Sequence, residues 1–525
     1  MTSIVTTAER ADIAPEVQRL VDEWLTTFGG EDADVAHLLC DRHDPEAIAF
    51  TFIDADLNAH DLSYGELAER SRRMAAVLAE EGVRRGDRVP VLMGKRPELV
   101  VTLVAIWRLG AVHVPLFTAF ATGAIQVRVE GSGARLVITE PDQRVKLDAL
   151  SGFSVLEVGT ELEARIAAAT PVTSSVAVGA DGTMLQLFTS GTTGKPKGVP
   201  VPARAMAAFR CYVELGMDVS DDDVFWNAAD PGWAYGLYYG IIGPMSAGRR
   251  NLMLGAGFTP ESTVAVMRAF GVTNFAGAPT MYRAMSKSGL VEGIRLRRAS
   301  SAGEPLTPDV VAWAREHLDT EVRDHYGQTE LGMVINNHWA DAVREPLRDG
   351  SMGRPMPGYA AGIVDGQIAI DVPNSPLLWF TGYSDDPVKS AERFTPDHRW
   401  YLTADTGRVD EDGFFYFTAR DDDVILAAGY RIGPFDVESV LITHDAVVDV
   451  AVVGRPDPEG IRGEVVEAFV VLADGVDGDP DLAAELQRLV RDGYSKHAYP
   501  RTVHFVDALP KTPSGKVQRF LLRQP

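Results

Sequence analysis

The stretch LFTSGTTGKPKGV, residues 187–199, continues the apolar run Met184–Phe188 and sets three Gly, three Thr, one Ser, two Lys and a Pro between Thr189 and Gly198. No ordinary helix or strand needs that mixture, which predicts a flexible loop leaving a buried strand. A P-loop requires Ser or Thr after Gly-Lys, whereas Lys195 is followed by Pro196, which also disfavours a helix beginning at the lysine. A dinucleotide-type G-x-G-x-x-G is absent here as well. The composition still suits an anion: small residues let backbone N–H groups converge, hydroxyls add donors and lysines add charge. The plain alternative is a mobile surface loop with incidental hydroxyls.

Upstream of the loop, helical and strand patterns alternate. Ser63-Tyr-Gly-Glu66 is a capping-box pattern, and Leu67, Met74, Ala75 and Leu78 recur at helical spacing until Gly82. A strand over Arg88–Met93, a helix over about Pro97–Leu109 and an apolar piece over Ala111–Leu116 follow. The alternation resumes over 264–270 and 272–276 and continues with a helix from about Thr280, predicting an α/β fold with helices on the faces of parallel sheets. Near residue 420 the character changes. Thr418-Ala-Arg-Asp-Asp-Asp423 reads as a charged connector, and strands over Val447–Val453 and Val465–Leu472, a helix over about 481–493 and a terminal loop suffice for a small α+β domain. The expected division is a large multi-sheet domain over 1–421 and a small mobile one over 422–525.

Composition limits the function classes. A chain of 525 residues, 46% hydrophobic and 24% charged, has the balance of a soluble protein with two or more buried cores. Its net charge of -24 speaks against a general affinity for nucleic acid or anionic membrane, while allowing a local basic pocket. Cys40 and Cys211 are far apart and lack metal-like spacing, so no disulfide framework or zinc site is expected. The start, MTSIVTTAERADIAPEV, lacks the basic and apolar regions of a signal peptide, and a cytoplasmic setting is expected. Membrane insertion is not: the most apolar run, Leu99–Val114, is interrupted by Arg108 and His113.

The loop does not stand alone. Together with Ser301-Ala-Gly-Glu-Pro305, Asp324-His-Tyr-Gly-Gln-Thr-Glu330, Tyr401-Leu-Thr-Ala-Asp405, Arg420, Gly429-Tyr-Arg431 and Pro510-Lys-Thr-Pro-Ser-Gly-Lys516, it resembles, in order and over nearly the whole chain, the adenylate-forming superfamily of acyl-CoA synthetases, luciferases and peptide-synthetase adenylation domains. Pro115–Phe120, Asp230-Pro-Gly-Trp233 and Gly429–Pro434 are similar to the acetyl and medium-chain acyl-CoA synthetase branch.

That resemblance implies ATP, Mg²⁺ and coenzyme A as cofactors and a carboxylic acid as substrate. It assigns Thr189, Ser190, Gly191, Thr192, Thr193, Gly194 and Lys195 to the β and γ phosphates, and Gly303, Glu304 and Pro305 to the adenine side. Asp324, His325, Tyr326, Gly327 and Gln328 form the nucleotide segment, with Tyr326 stacking on adenine. Thr329 meets the α-phosphate and Glu330 holds Mg²⁺. Asp405 grips the ribose, assisted by Arg420, and Arg431 opens the small domain. Lys516 bridges carboxylate and α-phosphate, Asp422 is the hinge, and Gly429 lies on the CoA path. Trp233 and Gly327 line the acyl pocket, where acetate enzymes of the family carry Trp at the position of Gly327, so an acid larger than acetate is expected.

Two departures bear on the nucleotide. Ala404 and Ala419 stand where the family carries Gly, and the segment Ile363–Ile370 is shorter than the family's hairpin. An enzyme that only converts a preformed acyl adenylate to a thioester, and a non-catalytic nucleotide or acyl-CoA binding protein, are the alternatives. Association as a homodimer is compatible with the sequence.

Overall fold

The computed structural model describes residues 4–6, 13–189, 196–304, 306–420, 423–427, 430–457, 464–495, 497–512 and 516–524. The strand that leads into the glycine-rich loop, Thr183–Thr189, belongs to a six-stranded sheet ordered Ser154–Glu157, Leu136–Thr139, Arg88–Leu92, Val112–Leu116, Thr183–Thr189 and Lys197–Pro202. The first five strands run parallel, and Lys197–Pro202 returns antiparallel to Thr183–Thr189. Every residue of Val112–Leu116 is buried, as befits a parallel strand covered on both faces. The neighbouring helix Pro97–Arg108 is buried from Leu99 onward. Its one cation is compensated: Arg108 donates to both carboxylate oxygens of Asp41, at 2.8 and 2.7 Å, and to Ser71 Oγ at 2.9 Å. His113, inside the same apolar run, is held neutral because burial pushes it down to about 3. Ser63 caps the helix Tyr64–Glu80 by accepting from the Glu66 amide.

A second six-stranded sheet is ordered Phe225–Asn227, Asn274–Gly277, Arg298–Ala302, Val322–Gln328, Gly332–Asn336 and Arg354–Pro355. Its first four strands are parallel, so the segments at 303–304 and 324–330 lie toward one carboxyl edge, where open α/β sheets place their ligands. An antiparallel sheet carries Trp400–Val409 between Gln367–Asp371 and Phe415–Arg420. The short segment flagged in the sequence closes through Asp365 and Gly366, both at positive φ (49° and 82°), which fits a two-residue hairpin turn between Ala361–Val364 and Gln367–Asp371.

Beyond residue 423, the strands Val447–Pro456, Glu464–Leu472 and Thr502–Phe505 form a three-stranded sheet, and the helices Pro434–Leu441 and Pro480–Gly493 contribute to its apolar core. That core draws only on residues from Ile425 to Phe505. Two details differ from the sequence reading. The charged connector begins after Arg420, because Thr418 to Arg420 lie in the strand Phe415–Arg420, where ladder pairing outweighs local charge. The terminal loop contains the strand Thr502–Phe505, which gains backbone partners along Glu464–Leu472, and a short helix Arg519–Leu522. Among the described residues no helix is long and apolar enough to cross a membrane.

Candidate active site

The strand Val322–Gln328 distributes its side chains by the two-residue period of a β-strand. His325, 2% exposed, turns into the core. Its Nε2 lies 3.1 Å from the Asn337 carbonyl and donates to it, so Nδ1 accepts from the Tyr212 hydroxyl at 2.6 Å. Burial pushes His325 down to about 3, so the ring is a neutral strut and only its backbone is left for a nucleotide. Asp324 lies on the other side, where desolvation drives its carboxyl up to about 8 against a weak bond of 3.4 Å from the Leu306 amide.

Tyr326 and Gln328 converge on Asp405, which is 7% exposed. The Tyr326 hydroxyl donates to Asp405 Oδ2 at 2.6 Å, and Gln328 Nε2 donates to the same oxygen at 2.7 Å and to the Thr403 carbonyl at 2.8 Å. Both donors meet one oxygen of the Asp405 carboxylate, which fixes its orientation. Arg420 is the Cα partner of Asp405 across the ladder, which places the two together by backbone register. Ala404 adopts φ 60°, the left-handed conformation that a glycine takes without strain. The methyl is thus accommodated at an irregular point of the strand Trp400–Val409, and Asp405 stays within reach of its partners.

Glu330 is buried beside this cluster. Its Oε1 accepts from the Tyr383 hydroxyl at 2.8 Å and lies 3.9 Å from an Arg393 nitrogen. Thr329 is anchored by its carbonyl, which accepts from the Tyr238 hydroxyl at 2.9 Å. No group of three or more His, Cys, Asp or Glu converges among the described residues. A lone buried carboxylate such as Glu330 is compatible with Mg²⁺ held mainly by substrate phosphates. Lys197, Tyr383 and Arg393 were missed by the sequence reading. Lys197 stands over the Tyr383 ring at 4.9 Å, and Lys-Pro-Lys in the opening string was a signal for it; nothing local marked Tyr383 or Arg393.

At the adenine-side segment Gly303 has φ 100°, and a Cβ there would sit 3.6 Å from the Trp233 ring, so the proposed acyl and adenine walls adjoin. Glu304 pairs with Arg283 at 3.4 Å; burial raises its carboxyl, opposed by Arg283, Lys511 and Lys516. Lys516 is exposed, its backbone forms a closed loop with Thr512, and its charge acts on Glu304. Gly327 does not face open space: a Cβ there would lie 2.0 Å from the Gly332 carbonyl oxygen, at the register shift between Tyr326 and Gly327. Gly is required by this close approach, independently of any acyl group. Ser190, Gly191, Thr192, Thr193, Gly194, Lys195, Pro305, Asp422 and Gly429 lie outside the described residues, as do the side chains of Arg420 and Arg431, while Thr189 ends its strand opposite Lys197.

The chain is similar to known proteins over most of its length. The AMP-binding enzyme family matches residues 40–375, and the AMP-binding enzyme C-terminal domain matches 436–516. The chain is 35% identical to the acetyl-coenzyme A synthetase of Bacillus subtilis, over 88% of this chain and 84% of that one. It is 36% identical to the mitochondrial acyl-coenzyme A synthetase ACSM3 of Mus musculus, over 91% and 86%. Among solved structures, an acyl-CoA synthetase of Brucella canis superposes with a TM-score of 0.74 at 42% identity, covering 96% of each chain. A benzoate CoA ligase from Burkholderia xenovorans superposes at 0.82 and 28%, covering 94% and 100%. Six sequence motifs, two successive domain matches and a fold shared over nearly the full length agree: the chain belongs to the AMP-binding enzyme family, the adenylate-forming enzymes.

Proposed function

We propose that the protein is an ATP-dependent, AMP-forming acyl-CoA synthetase whose acid is larger than acetate. The observation that supports the reading is the Tyr326–Asp405–Gln328 clamp set beside Glu330, two buried carboxylates brought together from segments far apart in the chain, which the reading assigns to ribose and Mg²⁺.

In the first half-reaction a carboxylate oxygen of the acid attacks the α-phosphorus of ATP. The bond to the bridging oxygen breaks, and pyrophosphate leaves with its electron pair. Two anions must meet, so positioning and positive charge carry the step. The loop 189–195 cradles the outer phosphates, Thr329 orients the α-phosphate, and Lys516 bridges the phosphate and carboxylate oxygens. Mg²⁺ bound through Glu330 supplies charge neutralisation on the phosphates. In the second half-reaction the thiol of CoA attacks the acyl carbonyl carbon and AMP leaves. Asp422 is the proposed hinge, at a boundary between 1–421 and 422–525, and Gly429 keeps the thiol's path clear.

The larger acid rests on the resemblance, in which acetate enzymes carry Trp at the position of Gly327; the close approach of the Gly332 carbonyl oxygen accounts for the glycine by itself and adds nothing to that reading. The thioester-only alternative rested on Ala404, Ala419 and the short 363–370 segment; the glycine-like φ at Ala404 and the retained clamp favour the complete ligase. A cytoplasmic setting is part of the same proposal. The test is incubation with ATP, Mg²⁺ and acids from acetate to medium-chain, branched and aromatic carboxylates, reading pyrophosphate and acyl-CoA separately. Pyrophosphate with larger acids, lowered by about a hundredfold or more in Lys516→Ala, is expected. Pyrophosphate from none of the acids, with thioester formed from supplied acyl adenylate and CoA, overturns the complete ligase.

A further inference from the structure

Arg393 follows the short helix Pro387–Ala391 and distributes its guanidinium over four partners belonging to the site. Nε donates to the Tyr383 hydroxyl at 2.9 Å. One terminal nitrogen donates to the carbonyls of Leu402 at 3.3 Å and Thr403 at 3.2 Å, and the other lies 3.9 Å from Glu330 Oε1. Its own carbonyl accepts from the Leu402 amide at 2.7 Å, fixing its backbone to the same strand. Tyr383 passes the contact on: its hydroxyl accepts from Arg393 and donates to Glu330 at 2.8 Å. On the other branch, the Thr403 carbonyl that receives Arg393 also receives Gln328 Nε2, which donates to Asp405 as well.

The acids next to Arg393 in sequence are not its partners. Glu392 is taken by Lys389 at 2.8 Å, and Asp386 caps the helix by accepting from the Lys389 amide at 3.0 Å. Three hydrogen bonds of the planar fork go to a hydroxyl and two carbonyls that lead to Glu330 in one direction and Asp405 in the other. Rings pack around the junction: Phe394 meets Tyr401 edge-on at 5.6 Å, and Phe380 meets Tyr383 at 5.1 Å.

We propose that Arg393 is a positioning residue that fixes the Glu330 carboxylate and the Leu402–Asp405 run in one geometry, so that the metal-side contact and the ribose contact are coupled through a single guanidinium. This rests on the proposed nucleotide chemistry for the identity of the two ligands. Lysine keeps the charge but cannot reproduce the fork, so Arg393→Lys behaves like a loss of geometry.

The test measures nucleotide affinity of the full chain by calorimetry: AMP without divalent ion, and ATP with and without Mg²⁺. It compares wild type, Tyr383→Phe, Arg393→Lys, Arg393→Met and the Tyr383→Phe/Arg393→Met double variant. Outer partners of ligand-holding groups affect affinity by about 10–100-fold. Tyr383→Phe is expected to lower the Mg²⁺-dependent gain in ATP affinity about tenfold and leave AMP affinity within about twofold. Both Arg393 variants are expected to lower that gain and also weaken AMP about tenfold, with the double variant no worse than Arg393→Met because the two groups act in one chain. Unchanged AMP affinity in Arg393→Lys, or independent, multiplying effects of Arg393→Met and Tyr383→Phe on the Mg²⁺-dependent gain, overturns the coupling. Should Arg393→Met fail to fold, Arg393→Lys carries the AMP comparison and Arg393→Lys/Tyr383→Phe the coupling. Wild type that binds AMP but forms no pyrophosphate with any acid defeats the ligase reading alone, and the binding comparisons still decide the role of Arg393.

Discussion

At the scale of single residues, two small side chains carry opposite lessons about glycine. Ala404 occupies a left-handed φ of 60°, which costs a non-glycine residue about 1–2 kcal/mol. Ala404→Gly relieves that strain and gives back about 0.4–1 kcal/mol through greater freedom of the unfolded chain. A net stabilisation of up to about 1 kcal/mol is therefore expected in urea unfolding, and a destabilised variant would show that the turn is not strained. Gly327 is the converse case, because a Cβ there meets a backbone oxygen at 2.0 Å that no rotamer change can move. Gly327→Ala is expected to lose about 1–3 kcal/mol in the same measurement; unaltered stability would mean that the neighbouring strand yields freely.

At the scale of the element, the strand Val322–Gln328 shows how one period of two sorts a motif. Seven consecutive motif residues carried the resemblance, but the pleat sends His325 to Tyr212 and Asn337 and Tyr326 to Asp405. Asp324 on this strand makes stability depend on pH. Its carboxyl is pushed from an ordinary 3.8 up to about 8, so between these values the folded chain binds one proton more than the unfolded chain. Its contribution is fully present below about 4, is lost as pH rises to about 8, and then levels off, with a slope of at most about 1.4 kcal/mol per pH unit. Asp324→Asn removes the titrating group, so its stability is expected to fall less steeply than wild type between about pH 4 and 8. Parallel curves for the two proteins would place the proton elsewhere.

At the scale of the whole molecule, apolar packing separates what the motifs connect. One core is built only from residues between Ile425 and Phe505, while the larger clusters draw on residues up to Phe417. Residues 1–421 expressed alone are therefore expected to unfold in one cooperative transition and bind AMP, but, on the proposed role of Lys516, to form pyrophosphate at least about a hundredfold more slowly. Failure of that fragment to fold would place the boundary elsewhere or make the small core essential. The α/β class, the strand leading into the glycine-rich loop, a small C-terminal domain and the family resemblance were legible in the chain, because periodicity, turn chemistry and motif spacing are local properties, whereas the returning strand Lys197–Pro202 was not read. Ribose-side Asp405 and Arg420 were named from their motifs, but their direct pairing is a matter of ladder register. The roles of Tyr383, Arg393 and Lys197 around Glu330, the removal of the His325 ring from the site and the backbone reason for Gly327 required the tertiary structure. Each depends on where a side chain points after distant strands have paired, and that direction is set by register and close packing across the fold, which residue order alone does not encode.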